Sequence, residues 1–108
     1  MGTQDDILFE VETPLGFKVR VTKDYWRMIT TQKHPVIEGK EDFVRTTIEE
    51  PDEIRQSKSD PSVYLFYRTL RSKRWVCAVV KGLNETSGFP ITAYITEAIK
   101  EGERIWTK

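Results

Sequence analysis

The sequence predicts an α+β domain with the element order ββααβββ, two helices packed on an antiparallel β-sheet. Three observations lead there: a pair of short alternating stretches near the start, two helical apolar stripes after them, and a second half rich in aromatic and β-branched residues. With 108 residues, 38% hydrophobic and 31% charged, the chain has room for one modest core and one domain.

ILFEVE (7–12) and FKVRVT (17–22) alternate apolar with polar residues on either side of TPLG, a proline and glycine turn, so they read as a hairpin with one wet face. Phe17, Val19 and Val21 are expected to face the core. Thr22 or Asp24 can cap the next segment, DYWRMITTQKH, in which Tyr25, Met28 and Ile29 form a helical stripe. A residue before proline is pushed out of the α region, so His34, followed by Pro35, is placed just past this helix. A second helix is expected from about Gly39 to Glu49, carrying Phe43, Val44, Thr47 and Ile48 at helical spacing and stopping at Pro51.

PDEIRQSKSDP (51–61) reads as a turn. PSVYLFYRTL and RWVCAVVK then read as central strands, apolar on both faces, joined by a link short enough for a hairpin. FPITAYITEAI follows the polar loop GLNETSG, with Pro90 at its start or on an edge.

Charge and cysteine content narrow the function classes. Seventeen Lys plus Arg balance seventeen Asp plus Glu, which removes the global electrostatic case for a nucleic-acid binder. The distribution is uneven, however: Arg68, Arg71, Lys73, Arg74 and Lys81 fall in a stretch without an acid, so a local positive patch is allowed. One cysteine, Cys77, gives no disulfide framework, and one histidine among scattered carboxylates gives no metal-ligand spacing or cofactor fingerprint. No run is apolar enough for a membrane span and the first residues are acidic where a signal peptide needs positive charge, so a cytoplasmic setting is expected.

Several residues could carry chemistry. His34 is the only imidazole, suited to proton transfer near neutral pH, and equally suited to capping carbonyls at a helix end. Arg55 and Ser57 combine a guanidinium fork with a hydroxyl, a pairing that can hold an anion, while a solvated loop in which Arg55 meets Asp52 or Glu53 is the plainer reading. Thr92, Tyr94 and Thr96 share one strand face by alternation; with Lys81, and flanked by Tyr64 or Tyr67, they could present hydroxyls and a fixed charge to a phosphodiester or simply form a wet sheet face. Trp26, Trp75 and Trp106 leave room for a third class, a structural or assembly protein.

Taken in order, HP, a helix, PDEIRQS, PSVYLFYR, RWVCAVVK and ITAYIT resemble the barnase, EndoU, colicin and RelE-like nuclease superfamily, and within it the small phage- and toxin-associated branch, over about residues 24–97. The resemblance implies a curved antiparallel sheet of the RelE/barnase-like kind and metal-independent RNA cleavage, with ribose 2′-hydroxyl attack on phosphorus. It assigns His34 to acid/base work, Arg55 and Lys81 to stabilising the transition state, and Thr92, Ser57 and Tyr94 to phosphate, with Tyr64 and Tyr67 stacking bases. RNA is then the substrate, no cofactor or metal is needed, and an antitoxin or immunity protein is the implied partner. A catalytically inactive RNA- or protein-binding module is the alternative on the same scaffold.

Overall fold

The structure, a computed structural model, describes residues 6–32, 40–99 and 101–108. It corrects the expected architecture. The chain is mostly sheet, 51% strand against 19% helix, and forms a seven-stranded mixed sheet accompanied by two short helices. The order across the sheet is β1-β2-β6-β5-β4-β3-β7.

β1 (Ile7–Glu12) and β2 (Lys18–Thr22) form the expected hairpin. The Gly16 amide bonds Thr13 O at 3.0 Å, and its φ of +94° is a conformation that favours glycine. Phe17, Val19 and Val21 are buried as their alternation requires. Thr22 Oγ1 then accepts the Tyr25 amide at 3.1 Å and caps α1 (Lys23–Gln32). α1 buries Trp26 and Ile29, and α2 (Glu41–Glu49) buries Val44, Thr47 and Ile48; both helices join the main core. Thr47, fully enclosed, satisfies its hydroxyl by donating to Phe43 O at 2.7 Å.

Two strands depart from the sequence reading. The stretch expected to be a turn contains β3 (Glu53–Gln56), which pairs with both β4 (Val63–Arg71) and β7 (Glu103–Thr107) and is therefore interior. Prolines on both sides mask a strand that is only four residues long, too short for periodicity to speak. β7, five residues long and without apolar–polar alternation, gave no signal either. β4 and β5 (Arg74–Gly82) form the expected hairpin, closed by Lys73 at a positive φ of 59°.

The antiparallel expectation fails at one seam. β6 (Ser87–Thr96) runs antiparallel to β5 but parallel to β2, through Lys18↔Ser87 and Val19↔Gly88. A Cβ at Gly88 would stand 2.7 Å from Lys81 O and 3.0 Å from the Phe17 ring, so glycine permits this close junction. Pro90 lies inside β6, at the irregularity opposite Val79 and Val80, and its carbonyl accepts the Tyr25 hydroxyl at 2.6 Å.

Register assigns the faces. One row, Trp106, Ile54, Phe66, Ala78 and Ala93, crosses from β7 to β6 beneath the helices, and its last four members are no more than 1% exposed. Alternate residues point to the opposite face. There the chain between β6 and β7, two strands that stand three strands apart, passes over the sheet, and Ile99 packs against Leu65, Tyr67 and Cys77.

Candidate functional site on the helix-free sheet face

Two neighbouring rows on this second face hold most of the residues singled out in the sequence. The first runs Arg104, Arg55, Leu65, Val79, Thr92; the second runs Glu53, Tyr67, Cys77, Tyr94. Lys81, two residues beyond Val79 on β5, belongs to the same face by alternation and pairs in register with Val63 and Phe89.

Sharing a face is not meeting at a point. Arg55 and Thr92 are separated by Leu65 and Val79, three strand spacings or roughly 14 Å between backbones. The cations and the hydroxyl border an apolar strip; they do not close around one phosphate.

Most of these polar groups, Thr92 excepted, have a local partner. Arg55 Nε bonds Glu53 Oε2 and Arg55 Nη1 donates to Gly102 O at 3.3 Å, so the connecting strap ties down this guanidinium. Gly102 has a φ of +81°, and a Cβ there would lie 2.7 Å from Gln56 O; glycine lets the strap come this near. Lys81 Nζ meets Asp60 Oδ2 at 3.2 Å. The Ser62 hydroxyl and amide bond Asp60 Oδ1 at 2.7 and 3.0 Å, and together with Lys81 they hold the Asp60 carboxyl down at about 2. Ser57, one residue past β3, has its hydroxyl 3.1 Å from that of Ser59. Thr92 Oγ1 is enclosed and has no hydrogen-bond partner among the described residues.

The tyrosines divide. Tyr67 is 1% exposed, and its hydroxyl and that of Tyr94 meet the Cys77 thiol. Burial pushes the thiol up to about 11 and raises both phenols, while the nearby Glu101 carboxylate adds to each rise. At neutral pH Tyr67, Cys77 and Tyr94 are therefore neutral hydrogen-bonding groups, not a source of a nucleophile. Tyr64 points to the other face, its ring centroid 5.6 Å from that of Phe17. Neither Tyr64 nor Tyr67 offers a ring face to a base lying beside Arg55.

His34 lies outside the described residues. Arg104 was missed by the sequence reading; it is exposed, sits opposite Arg55 in register, and makes no ion pair among the described residues. ERIWT, with two polar residues followed by two apolar ones, carries no alternation that would have placed it. Adjacent like charges on a sheet repel, so a second guanidinium here favours an anion nearby. Compared with known protein families, curated proteins and solved structures, the chain matches none. No helix among the described residues is long and apolar enough to cross a membrane.

Proposed function

We propose that this chain is a metal-independent ribonuclease of the barnase, EndoU, colicin and RelE-like kind, acting in the cytoplasm on RNA laid across the helix-free face of the sheet. One observation supports this reading above the others: Arg55, Lys81, Thr92 and Tyr94, drawn from β3, β5 and β6, share that face, with Arg104 beside Arg55. The width of the array suits a strand backbone better than a single phosphate.

In this reading the guanidinium of Arg55 and the ammonium of Lys81 neutralise phosphate oxygens as negative charge builds at phosphorus, and RNA must uncover the enclosed Thr92 hydroxyl, which has no partner among the described residues, before it can donate. RNA must draw Lys81 away from Asp60. On this face Asp60 is too acidic to take a proton readily, and Cys77 holds its own too firmly. The family resemblance gives proton transfer from the 2′-hydroxyl to His34. Purified protein incubated with mixed RNA in chelator is expected to release cyclic phosphate ends, and Arg55→Ala and His34→Ala are each expected to slow this about a hundredfold. RNA left intact at every protein concentration rejects the cleavage.

A second reading, an RNA-binding module without catalysis, draws on the carboxylates already paired with Arg55 and Lys81. It expects salt-dependent RNA binding, weakened by Lys81→Ala, with the RNA unchanged.

A further inference from the structure

We infer that the other side of the molecule carries a docking groove for an acidic protein segment, independent of any RNA chemistry. The groove lies between α2 and the turn end of the β4–β5 hairpin. It comprises two adjoining hollows of about 430 and 360 Å³ that share Phe43, Leu70 and Val76. Val44 and Val76 floor it, Leu70 and Ile95 flank them, and Phe43 stands at the lip with 51% of its surface exposed. A phenylalanine this open, beside further half-covered apolar residues, is the composition of a surface that takes an apolar side chain.

Charge complementarity selects the occupant. Of the neighbouring acids, Asp42 and Glu49 share Arg45 at 3.6 and 3.5 Å, Glu50 faces Arg68, and Glu97 meets Arg74 at 3.0 Å. Arg71, which lines the groove, and Lys73, two residues further along the hairpin, are exposed and make no ion pair among the described residues. The charge left over at this rim is positive although the chain is neutral as a whole. A segment that seats one aliphatic or aromatic side chain between Phe43 and Leu70 and sets carboxylates against Arg71 and Lys73 satisfies both features. The hydrocarbon floor offers a nucleic acid neither donors nor acceptors, which argues for a protein.

The test is selection of a random twelve-residue peptide display library on the full chain, with the Phe43→Asp chain as counter-selection. Phe43 is exposed, so its variant is expected to fold, checked by its melting curve. Enriched peptides should combine a large apolar residue with at least two Asp or Glu. The best of them, followed by fluorescence anisotropy, should lose about tenfold or more with Phe43→Asp and severalfold with Arg71→Glu, but nothing with Leu83→Asp, an equally exposed apolar site elsewhere. Salt should weaken the wild-type complex. Failure to enrich over the Phe43→Asp chain, enrichment of basic or uncharged peptides, or a single-stranded RNA shifting the Leu70 and Val76 amides instead overturns the proposal. Concentration-dependent self-association abolished by Phe43→Asp would likewise overturn it, by making a second copy the occupant.

Discussion

The two faces of β3 to β6 are built from alternate residues of the same four strands, yet they handle burial in opposite ways. Beneath the helices, the row Ile54, Phe66, Ala78, Ala93 is wholly hydrocarbon and has nothing to satisfy. Across the sheet, the next row encloses Tyr67 and Cys77 as tightly but fills the space with hydroxyls and a thiol that must find one another. Hydrocarbon alone would serve stability on either face. Polar groups placed under a strap, with a Thr92 hydroxyl that has no partner among the described residues and guanidiniums at one end, point to selection for something other than stability.

The sharpest break of this contrast is on the hydrocarbon side. Phe66→Ala removes a side chain with no exposure from the middle of the buried row and is expected to cost about 3–5 kcal/mol in urea unfolding. A loss below about 1 kcal/mol would mean that the helix-side face is not the packed one.

The strap supplies the next largest effect. Gly102→Ala forces a side chain against Gln56 O and into an unfavourable φ, so a loss of about 1–3 kcal/mol is expected. The same change should loosen Arg55, whose Nη1 bonds Gly102 O, and should expose Cys77 to alkylation at a rate the native protein does not show. Native alkylation of Cys77 as slow as in the wild type, together with an unchanged melt, would remove the strap from the account of this face.

Residues within one element were more legible than relations between elements. Alternation in FKVRVT identified which side chains are buried, and it also placed Thr92 and Tyr94 together on a face away from Ala93. That Arg55 belongs to a strand was not legible, since the four residues of β3 sit amid turn formers and their strand state is imposed by β4 and β7 on either side. The parallel seam between β2 and β6 depends on Gly88 meeting Val19 across nearly seventy positions of chain, which no local pattern encodes. For the site, the family resemblance grouped Arg55, Lys81 and Thr92 as a set; only register reveals that two hydrophobic strands stand between the first and the last.

Acid offers a milder probe of the polar side. The Asp60 and Asp52 carboxyls both lie below the ordinary carboxylate value of 3.8. For Asp52, the Thr69 hydrogen bonds and the Lys108 and Arg68 charges outweigh the upward pull of its own burial. A group whose folded pKa is depressed adds stability that is complete above its unfolded pKa and disappears as pH falls through the folded value. The melting temperature should therefore hold steady down to about pH 4 and fall between there and about pH 2. Asp60→Asn should flatten that fall and, by releasing Lys81, tighten RNA binding if RNA occupies this face. An acid limb identical to that of the wild type would show that the Ser62 and Lys81 contacts do not persist in solution.

The smallest expected change in stability separates the two faces most finely. Thr92→Val exchanges a hydroxyl for a methyl at nearly constant volume. An enclosed hydroxyl without a partner carries the desolvation cost of burial and returns nothing for it, so the valine chain should be as stable as the wild type or more stable by up to about 1 kcal/mol. On the helix side no comparable exchange exists, because the buried hydroxyl of Thr47 is already bonded to Phe43 O and Thr47→Val should lose about 1 kcal/mol. If Thr92 serves phosphate, its valine variant gains stability while losing RNA cleavage or binding, the signature of a group retained for work rather than for folding. A Thr92→Val chain that melts well below the wild type would instead mean that the hydroxyl has a structural partner and that this face is a second core.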